Sequence, residues 1–133
     1  MHLEDDHMCF VCGQKNEQGL RMSFRHPAPG RLEAEIVLPK TFQGFKDIVH
    51  GGVMSMLLDE MMVNLAWKEG KAAVTGRLEV RLRQPARVGE KILLEGCLDG
   101  EDARTLTMSA VAKRSSGEIL ATGKALCMRI KPS

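Results

Sequence analysis

Two adjacent carboxylates, Asp59 and Glu60, interrupt an otherwise apolar run that begins with His50-Gly51-Gly52. An ionised carboxylate in apolar surroundings is costly without partners, so the pair marks either a site or a salt bridge. Burial raises a carboxyl pKa toward the range a general base needs near neutral pH. The competing reading is an ion pair with an arginine between Arg77 and Arg83. Adjacent helical positions point about 100° apart, so the two carboxylates are not expected to share one site. Glycines at a helix start let a ligand approach the backbone, where free first-turn amides stabilise negative charge. That suits a phosphate, or the oxyanion formed when a carbonyl is attacked. Equally, Gly51-Gly52 makes a tight entry turn. His50 titrates near neutral pH and offers itself as a base.

A second group of ligand-type side chains lies at His2, His7, Cys9 and Cys12. Cys9-Phe10-Val11-Cys12-Gly13 is half of a zinc knuckle, which the two histidines would complete to four ligands. The other cysteines, Cys97 and Cys127, fall in strand candidates and read as small core residues. The expectation is a metal-free turn with Cys9, Phe10 and Cys12 packed inward, and no cofactor.

A few elements must position these groups. Gly51 to Lys68 reads as a helix, with Met54, Leu57, Leu58, Met61, Met62, Leu65 and Trp67 covering more than one face. Gly70 stands where a helix commonly stops. A helix apolar nearly all round must be enclosed. Gly19 to His26 reads as a short strand closed by the turn-rich HPAPG. Arg31 to Leu38 alternates, Pro39 ends it, and residues 40–49 read as a loop. Beyond the helix, Val74, Gly76, Leu78, Val80 and Leu82 alternate with Thr75, Arg77, Glu79, Arg81 and Arg83. Lys91–Leu98, Thr105–Lys113 and Ile119–Ile130 are further strands, separated by the turns DGEDAR and RSSGE. The order is two strands, a buried helix, then four strands in a meander. A curved antiparallel sheet wrapped around one helix is the α+β arrangement that buries such a helix with so few residues.

With 133 residues, 44% apolar and 27% charged, the chain fits one globular domain over 1–133, with the CxxCG segment at 1–18 as its N-terminal part. A net charge of +2, no Tyr, one Trp and four Phe offer nucleic acid little by charge or stacking. The most apolar stretch, Val49 to Trp67, contains His50, Asp59, Glu60 and Asn64, too polar for a membrane span. No signal-peptide pattern is visible, so cytoplasm and reduced thiols are the expectation.

The HGG start, the carboxylate nine residues after His50, and the strand-rich half ending in SSGEILATGKALCMRI resemble the PaaI-type branch of the hotdog-fold acyl-CoA thioesterases. TGRLEVRLRQPARVGEKILLEG is similar to that family's long central strand, proline turn and next strand. CFVCG, followed by Asn16 and Gly19-Leu20, resembles an N-terminal signature of one subgroup. The resemblance spans nearly the whole chain. It implies a hotdog fold that hydrolyses acyl-CoA to free acid and coenzyme A. Asp59 then stands where the family has its nucleophile or general base, and the Gly51 amide where the family polarises the thioester carbonyl. The two would come from different chains of a homodimer, with a dimer of dimers as the larger assembly. Gln43 corresponds, about one residue off register, to an amide that orients the thioester or water.

Thr75 would hold water or the carboxylate, though it reads more readily as an ordinary strand residue. In this family His50 is generally structural, while Gly52 and Glu60 would border the substrate. Met54, Met56, Met61 and Met62 would line an adaptable acyl pocket or simply fill the core. Arg77, Arg81, Arg83, Arg87, Lys113, Arg114 and Lys124 include candidates for the coenzyme A phosphates, although most belong to a solvated sheet face. Two rivals remain. One is an acyl-CoA sensor or carrier without turnover, against which Asp59 counts. The other is an acyl-thioester hydratase or dehydratase, which needs a His and a carboxylate across the substrate.

Overall fold

Residues 1–130 are described by a computed structural model; the last three residues of the expected domain lie outside them. The strands are β1 (Arg25–Ala28), β2 (Arg31–Val37), β3 (Ala73–Leu82), β4 (Lys91–Glu101), β5 (Thr105–Arg114) and β6 (Ile119–Arg129), with one α-helix, α1 (Gly51–Lys68), and a 3-10 turn at Lys40–Phe42 among the described residues. They form a single six-stranded sheet in the order β1-β2-β4-β5-β6-β3, antiparallel at every pairing. The sheet curves around α1, which touches β2 through β6. This is the hotdog architecture the sequence resemblance implied.

Small residues on the inner face let the helix come close. A Cβ added to Gly96 of β4 would lie 2.8 Å from the Met61 carbonyl oxygen, and one at Gly123 of β6 would lie 3.3 Å from Leu58 Cβ. Ala34, Ala110, Ala112, Ala121 and Ala125 continue that buried small-residue floor. Into it α1 sets Met54, Leu57, Leu58, Met61, Met62 and Leu65, a stripe at helical spacing. Each such side chain contributes roughly 1.5–3 kcal/mol on burial.

The structure differs from the sequence expectations in four places. Residues 19–24 form no strand: Leu20 and Met22 donate instead to the carbonyls of Phe10 and Val11, so this stretch pairs with the CFVC segment. Strand β1, Arg25–Ala28, starts at the end of the expected strand and runs into the expected HPAPG turn; a proline is tolerated there because β1 is an outer strand. The last four strands are not a simple meander, because β3 pairs with β6 and leaves β4 to pair with β2. Trp67 is 41% exposed rather than part of the core.

The two sheet edges are unlike. Strand β1 is four residues long and carries Pro27, whereas β3 is ten residues long with its outer edge open. On the helix side of β3, Leu82 is 56% exposed. Glu69, at the helix C-cap, accepts from the Gly30 amide and pairs with His26, tying the β1–β2 turn to the end of α1. No helix among the described residues is long and apolar enough to cross a membrane.

Candidate active site

His50 builds the start of α1. Its backbone amide donates to the Phe42 carbonyl, and its carbonyl accepts from Val53 and Met54. Its Nδ1 accepts from the Gly52 amide at 2.9 Å. Among the described residues this leaves the Gly51 amide as the first-turn donor without a partner. A Cβ on Gly51 would sit 2.9 Å from Leu82 Cδ1, so a larger residue there needs that exposed side chain to shift. The imidazole that offered itself as a base is occupied in capping the helix. The Gln43 side chain is likewise engaged locally, its Oε1 accepting from the Asp47 amide at 2.9 Å. Its backbone bridges Val49, so Gln43 braces the loop that delivers His50.

A cleft of about 560 Å³ opens at this helix end, lined by Phe45, Ile48, His50, Gly51, Met54, Leu82 and Arg83 among others. A smaller hollow of about 440 Å³ lies on the other side of His50, between Phe10, Phe42, Gln43, Gly52 and Met56. A larger hollow, about 850 Å³, lies at the opposite end of α1 beside Trp67 and Arg104 and, of the candidate site residues, takes in His2 alone. Of the four methionines, Met54, Met61 and Met62 are core, and Met56 is half-buried. Arg83 lines both the 560 Å³ cleft and a groove with Glu79, Arg81 and Lys124. Arg114 is paired with Glu90 and Glu118, Lys113 faces Glu95, and Arg81 faces Glu79.

Asp59 lies two turns farther along α1. Its Oδ1 accepts a hydrogen bond from the Thr75 hydroxyl at 2.6 Å. Thr75 reaches it because β3 carries an extra residue at Gly76: Thr75 pairs with Cys127 and Arg77 with Leu126, a bulge that puts Thr75 on the same face as Leu78, Val80 and Leu82. Simple alternation would have turned Thr75 away from the helix. Cys127, opposite Thr75, is fully buried. Burial pushes its thiol pKa up; the Thr75 hydrogen bond opposes that rise and the Asp59 charge adds to it. A neutral thiol therefore backs the Asp59–Thr75 pair.

Neither carboxylate is paired with Arg77, Arg81 or Arg83 among the described residues, so the salt-bridge reading is not realised. Gly51 and Asp59 are eight positions apart, about 12 Å along a helix axis. One chain does not bring them to one bond. Glu60 turns away from Asp59 to the N-terminal segment, with Cys9 Sγ 3.7 and 3.9 Å from its two oxygens and Asn64 Nδ2 at 3.5 Å. Burial, then Glu60, pushes the Cys12 thiol pKa far above its usual value. The CFVCG segment is less inward than expected: Phe10 is 49% exposed and both cysteines are half-buried. Two groupings escaped sequence reasoning, Cys127 behind Asp59 and Glu60 beside Cys9 and Cys12. Strand register would have revealed the first; nothing in local pattern reveals the second.

The family model of the thioesterase superfamily matches residues 46–121, more than half of the chain, and takes in His50 through Thr75. No curated protein matches this chain. Among solved structures, a thioesterase superfamily protein is similar at 25% identity with a TM-score of 0.86. The alignment covers 92% of this chain but only 60% of that one, so this chain is shorter than that relative. The E. coli PaaI protein from the phenylacetic acid degradation operon superposes with a TM-score of 0.78 at 14% identity, over 83% of this chain and 84% of that one. A Streptococcus mutans protein solved bound to acetyl CoA gives a TM-score of 0.77 at 14% identity, over 82% and 88%. The last two likenesses carry the fold alone. With a matched family model over the segment that holds the glycine amide, the carboxylate and the threonine, this chain belongs to the thioesterase superfamily.

Proposed function

We propose that the protein hydrolyses acyl-CoA thioesters in a site shared between two copies of the chain. The observation that carries the reading is the pairing of an unpartnered first-turn amide at Gly51 with a hydroxyl-oriented carboxylate at Asp59, about 12 Å apart on one helix. Two such helices running antiparallel across a dimer axis would bring the amide of one copy to the carboxylate of the other. The open edge of β3, with Leu78 and Leu82 exposed beside it, is a surface on which such a dimer would form; a dimer of dimers is the proposed larger assembly. Membership of the thioesterase superfamily and the acetyl CoA bound by a fold neighbour support the substrate class.

In this reading the thioester carbonyl oxygen accepts from the Gly51 amide, where the helix dipole stabilises the developing oxyanion. Asp59, as general base, takes a proton from water, and the hydroxide adds to the carbonyl carbon. The C–S bond then breaks, and the coenzyme A thiolate leaves and picks up a proton. The Thr75 hydroxyl fixes one carboxylate oxygen and leaves the other to face the water. As a nucleophile, Asp59 would instead form a mixed anhydride that water cleaves. Arg83, at the cleft mouth, is the cation best positioned for the coenzyme A phosphates. His50, committed to the cap, counts against the hydratase reading.

The test is thiol release from acyl-CoA esters carrying short, medium, long and aromatic acyl groups, with the oligomeric state measured by light scattering. Turnover of at least one ester by a dimer or larger assembly is expected. Binding without release across the panel would favour a sensor. A monomer that hydrolyses would rule out the shared site.

A further inference from the structure

The N-terminal segment places two thiols and a carboxylate together from parts of the chain that are fifty residues apart. Cys9 Sγ, Cys12 Sγ and a Glu60 carboxylate oxygen all lie within 4.8 Å of one another, each half-buried. The Cys-x-x-Cys turn is tight: the Gly13 amide donates to the Cys9 carbonyl at 2.9 Å, and a Cβ on Gly13 would collide with Cys9 and His7 backbone atoms at 2.4 to 2.6 Å. Inside it, the Val11 amide points at Cys9 Sγ at 3.4 Å.

Glu60 has no Lys or Arg partner among the described residues, although it is half-buried. Its donors are the Cys9 thiol at 3.7 and 3.9 Å and the Asn64 amide at 3.5 Å, all long, so a cation would satisfy this carboxylate better than they do. The surroundings make the same point. Asn64, one turn on from Glu60, reaches Cys12 Sγ at 3.6 Å and Glu60 Oε1 at 3.5 Å through Nδ2, while its Oδ1 is buried without a partner. A half-turn of that amide would bring Oδ1 to the cluster as a fourth donor.

We propose that Cys9, Cys12 and Glu60 form a zinc site that fastens the N-terminal segment to helix α1. With Zn–S about 2.3 Å and Zn–O about 2.0 Å, the S···O edge of a tetrahedron is about 3.5 Å. The Cys9–Glu60 separation of 3.7 Å is already near it. Two thiolates select a thiophilic ion such as Zn²⁺ over Mg²⁺ or Ca²⁺. Neither histidine of the half-knuckle takes part: His7 faces Asp5 and His2 faces Glu4. The carboxylate comes from the helix instead, which is why the sequence pattern alone looked incomplete. A staple is also what the segment needs. Residues 1–24 contain no helix or strand, and the side chains they bury in the core are those of Val11 and Met22. Short segments with so little core are commonly held by a metal or a disulfide.

The experiment measures metal in the full-length protein, purified without chelator, by elemental analysis. It then follows Co²⁺ binding to metal-stripped protein by absorption. About one zinc per chain is expected, along with the charge-transfer bands of thiolate-bound Co²⁺ and a melting temperature that falls on chelation and recovers with Zn²⁺. Cys9→Ser and Glu60→Gln should each lower zinc retention at least tenfold. Cys97→Ser, on strand β4 away from the cluster, should leave it unchanged. If a cysteine variant fails to fold, Glu60→Gln keeps both thiols and decides the matter. Full-length protein that holds less than about a tenth of an equivalent, shows no thiolate bands with Co²⁺ and melts alike with and without Zn²⁺ would overturn the proposal. So would a Cys9–Cys12 disulfide in the protein as purified, seen as a loss of two hydrogens by mass spectrometry.

Discussion

On one flank of α1, Asp59 meets a hydroxyl from a long sheet strand at 2.6 Å, with a fully buried thiol behind it. On the neighbouring flank, Glu60 meets Cys9 Sγ at 3.7 and 3.9 Å, on a segment without regular secondary structure. The carboxylates are adjacent in sequence, yet their supports differ in kind. Strand β3 is fixed residue by residue through its pairing with β6, so a hydroxyl on it is held to a narrow position. Groups meant for chemistry gain from such rigid support. The CFVCG segment is held by a few turn hydrogen bonds, so whatever joins it to the helix decides whether it stays docked. Two adjacent carboxylates thus meet unlike supports, set by what each flank of the helix faces.

The strongest way to break this comparison is to remove each charge in turn. Asp59→Asn keeps size and shape, and kcat should fall by at least ~10²-fold with KM little changed. Glu60→Gln, assayed in the same thiol-release experiment, should stay within a few-fold of wild type. Reversal of the two results would mean that the flanks have been assigned the wrong way round. Gly96→Ala comes next, because its Cβ would meet the Met61 carbonyl at 2.8 Å and lift the helix that carries both carboxylates. A loss of about 1–3 kcal/mol is expected in urea unfolding, from overpacking; an unchanged midpoint would show that the helix yields freely there. Thr75→Val then removes only the hydroxyl on the Asp59 flank. A hydrogen bond to a charged group is worth about 1.5 kcal/mol, so kcat should drop roughly tenfold while metal content stays constant. A fall in metal content would mean that the two flanks are coupled.

The smallest effect concerns pH. Glu90 accepts from Arg114 at 2.8 Å and from the Arg87 amide, and these hold its carboxyl below the usual glutamate range. Its contribution to stability is complete above the ordinary value of about 4.3 and is lost as pH falls through the lower folded-state value. Unfolding midpoints measured from about pH 6 down to about pH 3 should decline more steeply for wild type than for Glu90→Gln. Parallel curves would show that this ion pair does not contribute.

The helix was legible in the sequence to the residue, because Gly51, the apolar stripe and Gly70 mark its start, face and end with independent signals. Strand β2 is legible through period-two alternation, and the three C-terminal strands through the turns DGEDAR and RSSGE that separate them. The pairing of β3 with β6 was not, since alternation says which side a residue faces and nothing of its neighbour. At the site, the resemblance implies a structural His50, and its Nδ1 accepts from the Gly52 amide. Thr75 was undervalued because one inserted residue, Gly76, changes its side of the sheet without any mark in composition. The approach of Glu60 to Cys9 is not legible in the sequence, because contacts between residues 9 and 60 are tertiary and leave no periodic trace.

The bulge at Gly76 divides β3 by parity. Upstream, the odd-numbered Ala73 and Thr75 face the helix; downstream, the even-numbered Leu78, Val80 and Leu82 do. Deleting Gly76 would leave both halves facing as they do now and remove only the local bend. Deleting any neighbouring residue that is not part of the bulge would invert one half against the other. The strand therefore behaves as two short rulers joined by a one-residue hinge. The hydroxyl that meets Asp59 is read from the first, and the apolar row along the open edge from the second.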